Sequence, residues 1–298
     1  MTRPITALVN PVSGGGVADA RWAAVAAHLD AGVDVEVVHT LHAGHAVESA
    51  RHAAEAGRVV VAVGGDGLVR DVATGVVDAD GTMAIVPAGR GNDFAQLVGV
   101  PEDPARLAAA ISSGVEHRVD VIDAGGVAVP GNVYAGIDSV SSVIINRSRW
   151  LPSRFIYRLS PYLALLRWRV PEFRITVDGV ETVLRGHIVV IANSGRYGHG
   201  LKIVPSASPD DGRLDVLVVR DVPRYRLSAF MRDAETGAHA DWPEAVLLTG
   251  SEVSLAANRP VPVCADGDEL TVLGEETTHV RVRPGGLRLL LPAVSSRD

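Results

Sequence analysis

The stretch Val59-Val60-Val61-Ala62-Val63-Gly64-Gly65-Asp66-Gly67-Leu68-Val69-Arg70-Asp71-Val72 constrains this chain more than any other. Five small apolar residues without polar alternation read as a strand buried on both faces, the mark of a parallel sheet covered by helices on either side. A helical pattern follows at once. Between the two, Gly64, Gly65 and Gly67 lack Cβ, which permits positive φ and a close approach of the backbone to a ligand. The amide groups of such a turn, with a helix N-terminus behind them, make an anion site. Asp66 would repel a phosphate, so its place in this turn makes sense if Mg²⁺ sits between them.

The surrounding sequence repeats the strand–loop–helix unit. Ile5–Val9 is a short strand entering the glycine-rich turn Asn10-Pro11-Val12-Ser13-Gly14-Gly15-Gly16, and Trp22, Val25, Ala26 and Leu29 then recur at helical spacing. Strand 33–38, helix 43–56, strand 58–63, helix 67–77 and strand 83–86 follow, the last entering Pro87-Ala88-Gly89-Arg90-Gly91-Asn92-Asp93-Phe94. Helices near 92–98 and 103–113 complete this part. Strands alternating with helices predict a parallel α/β sheet. The three polar, glycine-bearing loops at 10–16, 64–67 and 87–93 follow three strands, and ligands in such sheets bind at the carboxyl ends of strands, so the three are expected to face one crevice.

After about Arg118 the texture changes. Strand-like stretches dominate to about Arg283, among them 174–179, 186–192, 214–219, 252–256 and 261–265, with Asp178-Gly179 as a hairpin signal. The expected architecture is an N-terminal parallel-sheet α/β domain, residues 1–120, rejoined by 284–298, and a largely antiparallel, β-rich domain, residues 121–283, with a helical or loop insertion over 146–170. The glycine-led strand 285–291 is the segment that returns to the first domain.

Bulk properties exclude several classes. A net charge of −7 speaks against a nucleic-acid binder that works by neutralising phosphates. One cysteine, Cys264, leaves no intrachain disulfide or zinc–cysteine cluster and fits a reducing cytoplasm. No run reaches the ~18 apolar residues of a membrane span, and residues 1–4 show no signal stretch. Lys202 is the only lysine. The Walker loop, the Gly-x-Gly-x-x-Gly fingerprint, the His-Glu-x-x-His zinc motif and the Gly-x-Ser-x-Gly elbow are all missing. His42 and His45 read as a solvated helix start rather than a metal pair.

Taken together, Asn10-Pro11-x-Ser13-Gly14, Thr40, Gly64-Gly65-Asp66-Gly67, Pro87-x-Gly89-x-x-Asn92-Asp93-Phe94-Ala95, Pro205-x-Ala207-x-x-Asp210-Asp211-Gly212-x-Leu214-Asp215 and Asp266-Gly267-Asp268 resemble the diacylglycerol kinase catalytic family of lipid kinases, including its soluble bacterial members. The resemblance covers nearly the whole chain. The Gly-Gly-Asp-Gly loop is shared with the wider superfamily of NAD kinases and phosphofructokinases; the two later acidic motifs favour the lipid-kinase branch.

The resemblance implies roles. Asn10, Ser13, Gly14 and Thr40 would surround ATP. Gly64, Gly65, Asp66, Gly67 and Arg70 would carry its phosphates, with Asp66 near a catalytic Mg²⁺. Gly89, Arg90, Asn92 and Asp93 would form the adjoining loop. Asp268 stands where relatives place a glutamate general base, with Asp266 as its partner, and Asp66 would face Asp268 from the other domain. Asp211, with main-chain oxygens of Ser208 and Arg213, would hold a structural Mg²⁺ coupled through Asp120 to the active site. Phosphoryl transfer depends on positioning and charge neutralisation, which this equipment suits.

Two positions depart from the family pattern: Leu68 and Arg90 each stand where relatives usually carry threonine. An arginine can meet phosphate with a charge-assisted fork. Between 144 and 170, Arg147, Arg149, Arg154, Arg158, Arg167 and Arg169 lie among Trp150, Phe155, Tyr157, Tyr162 and Trp168. This reads either as a surface for docking on an anionic leaflet or as a packed helix pair with snorkelling arginines. The expected activity is ATP- and Mg²⁺-dependent phosphorylation of a lipid hydroxyl, diacylglycerol to phosphatidic acid, by a cytoplasmic enzyme working at the inner membrane face. Kinase action on a soluble or unusual alcohol, and a nucleotide- or lipid-binding regulator without catalysis, remain open alternatives, as does a homodimer.

Overall fold

The computed structural model describes residues 3–148, 153–198 and 200–293. By contact density the chain divides into two compact units, one of residues 1–121, 126–130 and 283–298, the other of 122–125 and 131–282.

In the first unit β1 (Ile5–Val9), α1 (Ala18–Ala26), β2 (Val35–His39), α2 (Ala43–Glu55), β3 (Val59–Gly64), α3 (Asp66–Asp78) and β4 (Thr82–Pro87) alternate as their periodicities predict. The strands lie side by side in the order β2-β1-β3-β4, all parallel. Beyond β4 the chain runs through α4 (Asp93–Leu97), α5 (Pro104–Ser113), β5 (Val115–Ala124) and β6 (Val127–Val129). At α5 the Asp103 carboxylate accepts the Arg106 amide and Pro104 occupies the first turn, a standard helix start.

The lack of alternation in β3 has the expected cause. Val60 and Ala62 face a core shared with α2 and α3, while Val59, Val61 and Val63 face a second core shared with Trp22, Val25, Leu107 and Ile111 of α1 and α5. Both faces of the strand are therefore dry, and polar residues have no side to occupy. At the start of α2, the His42 ring accepts the His45 amide at 3.1 Å. That histidine pair serves as a helix cap.

The second unit comprises β7 (Asn132–Gly136), α6 (Ile137–Arg147), α7 (Ser153–Arg167), β8 (Glu172–Val177), β9 (Val180–Ala192), β10 (Leu214–Arg220), α8 (Arg224–Ala234), β11 (Ala245–Gly250), β12 (Glu252–Ala257), β13 (Val261–Ala265), β14 (Asp268–Leu273) and the first residues, to Val282, of the long β15 (Thr278–Leu291). Its pairings are antiparallel: β14-β13-β7-β9-β8-β12-β15, with β10 added to β9 and β11 to β10. Asp178 and Gly179 both take positive φ, as a two-residue hairpin between right-twisted strands requires. β9 serves three partners: Val180–Arg185 pairs with β8, and residues from Gly186 onward pair with β7 and β10. A Cβ on Gly186 would lie 2.8 Å from the Val219 carbonyl oxygen, so the bend needs glycine.

The final strand, expected to open at Gly285, begins at Thr278; its last residues pair in parallel with β4, Arg288 opposite Thr82. The helix α8 lies in a region read as β-rich. Its Leu227, Phe230 and Ala234 are buried at helical spacing, a signal masked by Arg224, Arg226 and Arg232 in the same helix. In the 146–170 segment, Arg149 and Trp150, with the side chains of Arg154, Phe155, Tyr157, Arg158 and Arg167, lie outside the described residues. Trp168 is no interfacial aromatic: it is buried and donates its indole N–H to His187 Nδ1 at 3.0 Å. Among the described residues no helix is long and apolar enough to cross a membrane.

Candidate active site

The three glycine loops of the first unit meet. Gly14, Gly15 and Gly16 follow one another at positive φ, and a Cβ on Gly14 would fall 2.4 Å from the Ala88 carbonyl oxygen. Gly64 closes β3, and a Cβ there would lie 3.2 Å from Ser13 Oγ. A Cβ on Gly89 would come within 2.4 Å of the Gly65 Cα. The glycines at 64–67 therefore act differently from the sequence expectation. Gly65 has φ −97°, Gly64 ends a strand and Gly67 lies within α3, so none of them serves a left-handed turn. Gly64 and Gly65 are needed for close approach of main chain and side chain within the protein itself.

The Asn10 carboxamide accepts the Val12 amide at 3.2 Å and holds the first loop. Thr40 turns its hydroxyl back to the Val9 carbonyl at 3.4 Å and is buried. Arg70 is also buried, with its guanidinium on Asp71 Oδ1 at 2.7 Å. Leu68 is 5% exposed and belongs to the core, where its Cδ2 fills the space that a Cβ on Gly64 would need. Its branch points into the core, behind the loop.

Asp66 ties two loops together. Its carboxylate accepts the Asn92 amide at 3.0 Å and the Phe94 amide at 3.4 Å, at the start of α4. Asn92, at φ 56°, in turn accepts the Gly89 amide at 2.9 Å and returns its own N–H to the Gly89 carbonyl. Burial raises the Asp66 pKa, and the nearby negative charge of Asp93 raises it further, against the lowering effect of the amides. The position a Cβ on Gly91 would occupy lies 3.3 Å from Asp66 Oδ2 and 3.5 Å from Asp93 Oδ2. Two hard carboxylate oxygens thus border one small space kept open by a glycine, a donor set that suits Mg²⁺. Arg90 is exposed beside it and makes no hydrogen bond or ion pair among the described residues.

In the second unit, Asp266 (φ 45°) and Gly267 (φ 95°) form the tight turn joining β13 to β14. The Asp266 carboxylate accepts the Asn132 amide at 2.8 Å and the Gly131 amide at 3.3 Å. Asn132 is buried and extends the tether, donating to the Arg196 carbonyl at 2.9 Å and accepting the Ser194 amide at 3.2 Å. Asp268 opens β14 opposite Ala265 and is half-buried. Asn146 of α6 donates to the Gly267 carbonyl at 2.8 Å and lies 3.4 Å from Asp268 Oδ1. Neither Asn132 nor Asn146 stood out in the sequence, since their partners are 62 and 122 residues away.

A further acid was missed. Asp138, second residue of α6, has its carboxyl pushed up to about 7 by desolvation. It accepts the Ser139 amide at 2.9 Å and faces the Tyr197 hydroxyl at 3.4 Å. The Tyr197 ring lies 5.5 Å from that of Tyr134, whose hydroxyl meets Ser142 Oγ at 2.9 Å. The strand-to-helix step Gly136-Ile137-Asp138 was the available signal. Cys264 is buried nearby, its thiol raised to about 12 by desolvation, which leaves it unreactive at neutral pH.

The acidic loop after Pro205 is a turn. The Asp211 carboxylate accepts the Arg213 amide at 2.9 Å, Ser208 donates to Asp210, and Gly212 has φ 73°. Asp120 is buried and accepts the Gly285 amide at 2.7 Å. Among the described residues no group of three His, Cys, Asp or Glu side chains could alone hold a metal ion. Any cation here would draw on main-chain oxygens, water or phosphate for most of its shell.

The diacylglycerol kinase catalytic domain family matches residues 4–124, and the YegS C-terminal NAD kinase beta sandwich-like domain family matches 131–291. A diacylglycerol kinase of Mycobacterium tuberculosis is 33% identical over 304 aligned residues, covering 97% of this chain and 95% of that protein. The chain belongs to the diacylglycerol kinase catalytic family. It is a lipid kinase, and ATP is its co-substrate. A diacylglycerol kinase of Bacillus subtilis is 24% identical over 272 residues, 88% of each protein. The crystal structure of a Bacillus anthracis diacylglycerol kinase superposes with a TM-score of 0.76 at 21% identity, covering 97% of both chains, and shares the fold of parallel N-terminal and antiparallel C-terminal strands.

Proposed function

We propose that this lipid kinase transfers the γ-phosphoryl group of ATP to the hydroxyl of diacylglycerol, giving phosphatidic acid, with Mg²⁺ as the metal. The choice of acceptor follows the Mycobacterium tuberculosis relative named for it. The observation that carries the phosphoryl-transfer reading is the small space over Gly91 bordered by Asp66 and Asp93, beside the glycine loops. Asp66 and Asp93 would hold Mg²⁺, which when bound supplies positive charge against the transferred phosphoryl group.

The chain's own residues position the reactants. Main-chain amides of the 64–67 turn bind the nucleotide phosphates, since the Ser13, Gly15 and Gly16 amides are spent on carbonyls of their own loop, and Asn10, Ser13, Gly14 and Thr40 shape the nucleotide's bed. Arg90 adds a guanidinium fork to a phosphate oxygen. Asp268 takes the proton of the acceptor hydroxyl as that oxygen bonds to phosphorus; the bond from phosphorus to the bridging oxygen breaks and its electron pair leaves with ADP. Asp266 acts as a positioning residue, since both its oxygens are spent on main-chain amides. A second cation on Asp211 and the Ser208 and Arg213 carbonyls would be structural.

The test is an assay in mixed micelles with labelled ATP, Mg²⁺ and a panel of alcohols. Phosphorylated diacylglycerol with the native chain, and at least about a hundredfold slower formation with Asp268→Asn, is the expected result. Phosphorylation of water-soluble alcohols in preference to diacylglycerol would overturn the choice of acceptor. Equal turnover by Asp268→Asn would overturn the role of the base.

A further inference from the structure

The helix α7 carries two apolar stripes and only one is covered. Ile156, Ser160 and Ala164 recur every four residues and are buried, with Ser141 Oγ of α6 donating to Ser160 Oγ at 2.8 Å. Beside that stripe, Leu159, Tyr162, Leu163 and Leu166 fall at i, i+3, i+4 and i+7, the spacing of a single helix face. They are 51%, 69%, 44% and 75% exposed. Scattered exposed leucines need no explanation, but four large apolar residues on one face of one helix form a contiguous patch.

Charge narrows what covers it. Residues 144–170 contain six arginines and no aspartate or glutamate, in a chain whose net charge is −7. Arg147 and Arg169, at the two ends of this segment, are exposed, Arg147 with the Glu269 carboxylate 3.5 Å away. Basic residues flanking an exposed stripe of leucine and tyrosine match the interface of an anionic bilayer: phosphate head groups meet the guanidinium groups, and the acyl boundary receives the leucines.

We propose that the Leu159–Tyr162–Leu163–Leu166 face of α7 docks on a bilayer containing anionic phospholipid and seats the enzyme on its substrate's surface. The identity of the surface rests on the lipid-kinase reading; the docking itself is measurable without catalysis. Tyrosine anchors at head-group depth, while the two most separated leucines enter the hydrocarbon edge. Because the flanking charges act through water, the attachment weakens as salt rises.

The full chain is centrifuged with phosphatidylcholine vesicles prepared with or without phosphatidylglycerol. The native chain is expected to sediment with the vesicles containing phosphatidylglycerol and to be released by salt. Leu163→Gln/Leu166→Gln, which alters exposed positions only, is expected to bind at least about tenfold more weakly, given the apolar area withdrawn from the membrane, with an unchanged melting temperature. Its turnover on a short-chain diacylglycerol dispersed in water should match that of the native chain. Equal binding by native and variant chains, or no preference for phosphatidylglycerol, overturns the proposal. So does conversion of a native dimer to a monomer by the double substitution with vesicle binding intact, which would make this face a contact between copies. Vesicle binding without phosphorylation of any lipid would leave the docking surface standing and overturn the acceptor reading instead.

Discussion

Gly65 and Gly89 touch main chain to main chain: a Cβ on Gly89 would lie 2.4 Å from the Gly65 Cα, and one on Gly65 would lie 3.1 Å from the Gly89 Cα. The turn after β3 and the loop after β4 are thereby pressed together, with Asp66 and Asn92 bonding across the same seam. The asymmetry of the two distances gives a graded expectation. Gly89→Ala should destabilise the chain by about 1–3 kcal/mol, the usual cost of overpacking, and weaken ATP binding. Gly65→Ala should do less of both. Urea unfolding and calorimetric titration with ATP check the order.

Asp268→Asn should lower kcat by about 10²–10⁴-fold, the usual contribution of a general base, while the KM for ATP stays within about twofold of its native value. Asn146→Ala, which removes the side chain that steadies the Gly267 carbonyl and approaches Asp268, should lower kcat by less. Steady-state kinetics separates the two effects.

Asp266→Ala should act on stability. It leaves the Gly131 and Asn132 amides without their acceptor, at a cost of about 1–3 kcal/mol, and frees the turn that presents Asp268. Denaturant unfolding should show the loss with or without nucleotide.

Asp138 makes stability depend on pH in a stated direction. Its folded pKa of about 7 lies above its ordinary value of 3.8, so the folded chain holds a proton there that the unfolded chain gives up. The folded state is favoured at acidic pH, and this advantage is lost as pH rises between about 4 and 7. Asp138→Asn should therefore be more stable than the native chain at pH 8 and indistinguishable from it near pH 4. The ceiling is about 4 kcal/mol, reduced because part of the side chain reaches solvent. Melting temperatures of both chains across that range test the sign.

Leu68→Thr restores the residue that the family pattern usually has at this position, yet here it should cost about 2–3 kcal/mol and leave turnover per folded molecule unchanged. The leucine fills core behind Gly64, and a buried hydroxyl would replace its methyl groups. Thermal unfolding with active-site titration distinguishes this outcome from a gain in turnover.

The sequence alone determined the strand, read at 58–63 and found at 59–64, the loops that follow β1, β3 and β4, the hairpin at Asp178-Gly179 and the family, because each is written in neighbouring residues. A strand buried on both faces must be continuously apolar, and a turn must carry residues that tolerate its backbone. The tertiary structure decided what the same residues touch. Asp66 spends its carboxylate on amides 26 and 28 residues away, Asp266 on amides more than 130 away, and Leu68 turns into the core. The raised pKa of Asp138 was equally out of reach of local pattern, and for the 144–170 segment local pattern left open which helix face is buried and which is exposed. Burial and hydrogen-bond partnership are properties of neighbours in space, and no local spacing encodes which distant segment will supply them.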